Sequence, residues 1–210
     1  MGACVEPRYT VFVAGGIASG KSTVARLLEQ QGALRIDLDE LSREVLAPGS
    51  PCLEEVADAF GSDLLDEDGS LDRALLAERA FETPEEARRL EAIEMPYIKA
   101  LLGDRLTVVS CSSSLPSLVA VEVPLLDRVE DMLPLADEVL AVTAPLALRR
   151  ERAAGRGLSE EDFEARLANQ PTDEYLRSKA TAVIENDGTM SDLRRRVDWW
   201  LATREEAARG

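Results

Sequence analysis

Eight residues, Gly15-Gly-Ile-Ala-Ser-Gly-Lys-Ser22, carry the spacing G-x-x-x-x-G-K-[ST]. Each part of that pattern has a physical use. Glycine at both ends lets the backbone curl until successive N–H groups point inward at phosphate oxygens. A helix starting near Lys21 adds the positive end of its dipole. The Lys21 ammonium can bridge the β- and γ-phosphates of a nucleotide, and the Ser22 hydroxyl can ligate Mg²⁺. The expected ATP-binding set is Gly16, Ile17, Ala18, Ser19, Gly20, Lys21, Ser22 and Thr23. An ordinary glycine-rich turn is the bland alternative. The flanks argue against it, because an apolar run at Tyr9–Ala14 precedes the loop and an amphipathic stretch with Val24, Leu27 and Leu28 follows.

Three further groups could act on a bound nucleotide. Ile36-Asp-Leu-Asp39 ends a second short apolar run, and strand ends on this side of a parallel sheet face the ligand crevice. If the strand extends through Asp39, Asp37 and Asp39 share a face, one for Mg²⁺ and one for an acceptor hydroxyl. Alternatively, Asp39 only caps a helix beginning at Glu40. Glu122 is an acid inside the apolar run Leu118–Val123; it either orients Mg²⁺ through water or faces solvent at a strand edge. Arg149, Arg150, Arg152 and Arg156 form a local basic cluster. They either close over phosphates or pair with Glu160–Asp162 on a solvated helix face. Histidine is absent from the chain, so any general base must be a carboxylate or, less readily, a lysine, cysteine or tyrosine.

These groups need a scaffold, and the periodicity supplies one. Tyr9–Ala14, the loop, a helix over Lys21–Gln31, a strand over Ala33–Asp37 and a helix over Glu40–Leu46 make a βαβα opening. Residues 51 to about 106 read as helical, with breaks at Gly61, Asp66–Gly69 and Thr83-Pro84 and a kink at Pro96. Asp72 and Thr83 have the position of N-caps. Thr107–Ser117 reads as turn or loop. Strands return at Leu118–Val123, Glu138–Thr143 and Thr181–Glu185, with helices near 145–154, 159–168 and 190–209. The expected class is α/β: a parallel sheet flanked by helices, with a helical insertion beside it. The expected boundaries are 1–47 and 118–210 for the nucleotide core, 48–117 for the insertion and 149–160 for an arginine-rich segment within the core.

Composition narrows the partners. Forty acidic against 24 basic residues give a formal charge of −16 over 210 residues. Such a chain repels phosphate backbones, so no nucleic-acid partner is expected. Cys4, Cys52 and Cys111 show no metal-site or disulfide spacing, which fits reduced thiols. The segment MGACVEPRY has no features of a targeting signal, and no apolar run reaches the roughly 20 residues that span a bilayer. A cytoplasmic protein without a membrane partner is expected.

The ordered motifs resemble the bacterial dephospho-CoA kinases over nearly the whole chain. AGGIASGKSTV resembles the family's phosphate loop, and IDLDELSREVLAPGS its second-strand segment with the D-x-D pair. GSDLLDEDGSLDRALLAERAF and LEAIEMPYI resemble its CoA-holding helices, and VEVPLL its D-x-P-L-L strand end. LRRERAAGRGLSEEDFEARLANQ resembles its lid, and AVIENDGT its late strand and turn. The resemblance implies a P-loop kinase-type parallel sheet with a helical substrate-binding insertion at 48–117 and a small lid at 149–160, and transfer of the ATP γ-phosphoryl group to the ribose 3′-hydroxyl of dephospho-CoA, with Mg²⁺ as cofactor. It implies Asp39 as general base, Lys21 and Ser22 at the phosphates and metal, and Arg150 and Arg156 as lid contacts. Three positions depart from the pattern: Ala18 for a glycine, Met95 for the histidine before Pro96, and Arg128 for a glutamate.

Rival readings are another P-loop small-metabolite or nucleoside monophosphate kinase, a GTP-binding switch, and an inactive nucleotide scaffold. The D-x-D pair with V-E-V-P-L-L separates the first, and the lack of N-K-x-D the second. Lys21, Ser22 and Asp39 together argue against the third.

Overall fold

Strands buried on both faces of a parallel sheet read as unbroken apolar runs, and three segments of this chain do so. The computed structural model describes residues 9–112 and 116–209, with side chains as far as Arg204. The leading segment 1–8, with Cys4, and residues 113–115 of the stretch expected as turn or loop lie outside the described residues. β1 (Tyr9–Ala14), β3 (Leu118–Val123) and β4 (Glu138–Thr143) form the centre of a five-stranded sheet. β2 (Leu34–Asp37) and β5 (Ala182–Glu185) are its edges, in the order β2-β3-β1-β4-β5, with every pairing parallel.

The chain divides into two units. The first holds the sheet and spans residues 1–37 and 112–210. Its helices are α1 (Lys21–Gln30), α6 (Leu146–Ala154), α7 (Glu160–Ala168), α8 (Asp173–Lys179) and α9 (Met190–Arg209). Val24 and Leu28 of α1 and Leu193, Val197 and Trp200 of α9 pack on Val11, Val13, Leu140 and Val142 of the sheet. The α9 face is thus the one its apolar spacing predicts.

α9 is also fastened by charge. Buried Glu138 accepts bonds from the Tyr9 hydroxyl at 2.6 Å, Trp200 Nε1 at 3.0 Å and Arg204 Nε at 2.8 Å. Burial pulls the Glu138 carboxyl up, but bonds from Arg204, Tyr9 and Trp200 and the Arg204 charge hold it below the ordinary value. Burial, together with the Glu138 carboxylate, pushes the Tyr9 phenol up to about 12. Because the folded carboxyl lies below its unfolded value, this stabilisation is full above the ordinary carboxylate range. It is lost as pH falls through the folded value. Arg204→Met strands a buried carboxylate and should cost about 3 kcal/mol in urea unfolding at neutral pH. A cost below about 1 kcal/mol would show the network to be ornamental.

The second unit spans residues 38–111 and is helical. It contains α2 (Leu38–Val45), α3 (Pro51–Phe60), α4 (Arg73–Ala80) and α5 (Pro84–Ser110). Its start at 38 places α2 with the helices, ahead of the expected boundary at 48. Side-chain caps define the helix starts. Ser50 accepts from Leu53 N–H, Asp72 from Ala74 and Leu75, and Thr83 from Glu86. α5 runs through Pro96 and onward to Ser110, so the start of the stretch expected as turn or loop, Thr107–Ser110, is helix. Leu53, Val56, Phe60, Leu76, Ile98 and Leu102 fill this unit's core.

Candidate active site

β1 delivers the chain into the glycine loop, and the loop's shape is set by close packing. A Cβ on Gly15 would lie 2.6 Å from the Val142 carbonyl oxygen, a backbone atom that cannot yield. A Cβ on Gly16 would lie 2.3 Å from Arg149 Nη2. Gly20, at φ 103°, turns the chain into α1 without any side-chain cap. The N–H groups of the first turn, through Thr23, therefore remain for an anion. Ala18 takes φ 55°, alone among the described non-glycine residues in having positive φ. A left-handed alanine costs roughly 1–2 kcal/mol, so Ala18 holds this turn of the loop at a strain cost.

Beneath the loop sits a paired charge cluster. Lys21 Nζ lies 2.7 Å from Glu122 Oε1, which also accepts from the Ser22 hydroxyl. Arg35 donates to Glu122 Oε2 through Nη2 at 2.8 Å and Nε at 3.2 Å, and pairs with Asp37. Sheet register explains the convergence. Asp37 and Glu122 are direct partners on β2 and β3, and Arg35 lies two residues before Asp37 on the same face. Glu122 is 2 % exposed. Burial alone would raise its carboxyl, but Lys21, Ser22 and Arg35 hold it below the ordinary value. This excludes the reading of Glu122 as a solvent-facing strand-edge acid.

The donor set suits a hard cation such as Mg²⁺. Ser22 spends its hydroxyl proton on Glu122, which leaves oxygen lone pairs for a metal. The four charges of Lys21, Arg35, Glu122 and Asp37 cancel. A divalent ion would therefore depend on the nucleotide's phosphates for most of its ligands.

The geometry bears on four of these expectations. β2 ends at Asp37 and α2 begins at Leu38, so Asp37 and Asp39 do not share a strand face. Asp39 lies inside the first turn of α2 and is not a cap before Glu40. The Ile17 N–H donates to Gln170 Oε1 at 2.6 Å and is committed within the protein. Arg150 is half-exposed and paired with Glu160 and Glu164 on α7, which is the solvated-face alternative. Its neighbour Arg149 is instead the buried arginine at the loop, donating to the Ile17 carbonyl at 2.8 Å and to Asp173 at 3.0 Å. Arg156 is exposed, with no side-chain hydrogen bond among the described residues.

Arg35, Gln170 and Asn186 were not singled out by sequence. Asn186 donates to the Ser19 carbonyl at 2.7 Å and accepts from Arg152 at 3.2 Å. Only Arg35 left a signal, the two-residue spacing from Asp37. Met95 is half-buried in α5, and Arg128 lies beside Asp127 at 3.7 Å.

A parallel sheet, a glycine loop between β1 and α1, and a lysine, serine and buried acid below the loop define a P-loop phosphotransferase. The dephospho-CoA kinase family model matches residues 9–192. This chain belongs to the dephospho-CoA kinase family and is a kinase. It is 43% identical over 191 residues to the dephospho-CoA kinase of Frankia casuarinae, covering 90% of this chain and 81% of the relative. A Thermus thermophilus crystal structure superposes with a TM-score of 0.76 at 35% identity, covering 94% of this chain and 98% of that one. The Campylobacter jejuni dephospho-CoA kinase superposes with a TM-score of 0.72 at 26% identity, covering 95% and 98%. Among the described residues, no helix is long and apolar enough to cross a membrane.

Proposed function

We propose that this chain transfers the γ-phosphoryl group of ATP to the ribose 3′-hydroxyl of dephospho-CoA, giving coenzyme A and ADP. The observation that carries the phosphoryl half is the Lys21–Glu122–Ser22 cluster beneath a helix start that has no side-chain cap. Family membership supports the acceptor.

In this reading the first-turn amides of α1 and the Lys21 ammonium stabilise the phosphate oxygens as the bond to the β–γ bridging oxygen breaks. Glu122 holds Lys21 and Ser22 in place by accepting from both. Ser22 and, through water, Glu122 would hold Mg²⁺, which when bound neutralises phosphate charge. Asp39 takes the proton of the attacking 3′-hydroxyl as its oxygen bonds to the γ-phosphorus. We assign 48–117 to the acceptor and 149–160 to a lid. Arg156 can contact phosphate directly, whereas Arg150 must first release Glu160 and Glu164. A cytoplasmic setting accords with Cys52 and Cys111 being free thiols.

The test is ADP release with Mg²⁺ and ATP, comparing dephospho-CoA with nucleoside monophosphates and other hydroxyl acceptors. Dephospho-CoA should give the highest kcat/KM by at least about 100-fold, since a site that recognises the whole acceptor rejects fragments of it. Faster use of another acceptor would overturn the substrate. Absence of turnover with every acceptor would return the scaffold reading.

A further inference from the structure

The peptide groups of Ile17 are held from both sides by one part of the chain. Its N–H donates to Gln170 Oε1 at 2.6 Å, and its carbonyl accepts from Arg149 Nε at 2.8 Å. Arg149 is anchored in turn by Asp173, with its side chain 5% exposed. Gln170 sits between Asn169, which ends α7, and the Thr172 cap of α8. The grip therefore comes from the connection between those helices and from α6. A peptide N–H and C=O fixed together leave that stretch of the loop little rotational freedom. The loop must hold its next amides inward against their mutual repulsion before any phosphate arrives, and such preorganisation is what tight anion binding requires.

We infer that Gln170 is a positioning residue for the phosphate loop. Its side-chain amide sets the orientation of the Ile17 peptide, and a neutral acceptor is required there. An uncharged oxygen satisfies the N–H without weakening the loop's attraction for phosphate, whereas a carboxylate at the same point would oppose the nucleotide. The inference rests on the reading of Gly15–Ser22 as the ATP loop and adds a residue distant from it in sequence.

Two variants separate the hydrogen bond from the charge, read by direct MgADP and MgATP titration as well as by turnover. Gln170→Met keeps the length and removes the acceptor. It should raise the nucleotide Kd and the KM for ATP about tenfold, the scale of one ordering hydrogen bond, with the KM for dephospho-CoA unchanged. Gln170→Glu keeps an acceptor and adds charge. Its loss of nucleotide affinity should be largest near 0.01 M salt and shrink towards about 0.15 M. Wild-type or tighter nucleotide binding by Gln170→Met overturns the inference, as does a Gln170→Glu loss that ignores salt. Failure of the wild-type protein itself to bind MgADP would instead remove the ATP-loop reading beneath it.

Discussion

Lys21→Ala should lower kcat by about 10²–10³-fold, the usual loss when one donor to developing phosphate charge is removed. The lysine also holds buried Glu122 at 2.7 Å, so the variant has a structural signature as well. Glu122 keeps Arg35 and Ser22, and the fold should survive at neutral pH. Its carboxyl nevertheless loses a main influence opposing burial, and its folded value rises. A carboxyl depressed in the folded state contributes stability above its unfolded value and loses it as pH falls through the folded one. In Lys21→Ala that contribution should therefore be smaller, and its loss complete at a higher pH, than in the wild type. Turnover and acid-unfolding curves on both proteins check the two halves. An unchanged kcat would remove the loop lysine from the mechanism.

How much of this site is legible in sequence depends on the distance over which each contact is encoded. The loop, Lys21 and Ser22 are contiguous, and β1, β3 and β4 are continuous apolar runs. They are readable because every local signal agrees with the fold. α8 has only seven residues, too few to show a period; its trace is the Thr172 cap followed by Asp173 and Glu174. Arg149 and Arg150 are chemically identical neighbours, but a helix turns about 100° per residue. One therefore enters the loop's packing and the other faces α7 and solvent. A cluster of arginines cannot reveal which is which without the helix phase. Gln170 is harder still, because its partner Ile17 lies 153 residues away and no periodicity links them.

In the D-x-D segment the strand alternation and the observed geometry differ. Alternation puts Asp37 and Asp39 on one face only if the strand runs through Asp39, yet β2 stops at Asp37 and the residues sharing a face are Arg35 and Asp37. Asp37 is neutralised by Arg35, which it shares with Glu122. This makes Asp37 a support for the charge cluster. The geometry leaves the roles of the two acids unequal for a reason the spacing does not contain.

Asp39→Asn should lower kcat by about 10²–10⁴-fold, the range for loss of a positioned general base. With no histidine in the chain, a carboxylate is the first candidate to take the hydroxyl proton. Asp39 stands in the first turn of α2, beside the positive end of the helix dipole, where an acidic side chain is favoured. Asparagine retains the shape and a hydrogen-bonding oxygen but cannot accept the proton. The nucleotide Kd should stay near wild type, since the phosphate loop and Lys21 are untouched. Asp37→Asn should behave differently. It removes one partner of Arg35 while Glu122 retains that arginine, so kcat should fall by less than about tenfold and stability by about 1 kcal/mol. Because phosphoryl transfer is largely dissociative, part of the Asp39 effect can be orientation of the hydroxyl. A pH–rate profile separates the two. Loss of the acidic limb of kcat/KM in Asp39→Asn identifies proton transfer, and retention of that limb with a uniformly lower rate identifies positioning. If Asp37→Asn abolishes turnover while Asp39→Asn keeps more than about a tenth of it, the roles of the two acids are reversed.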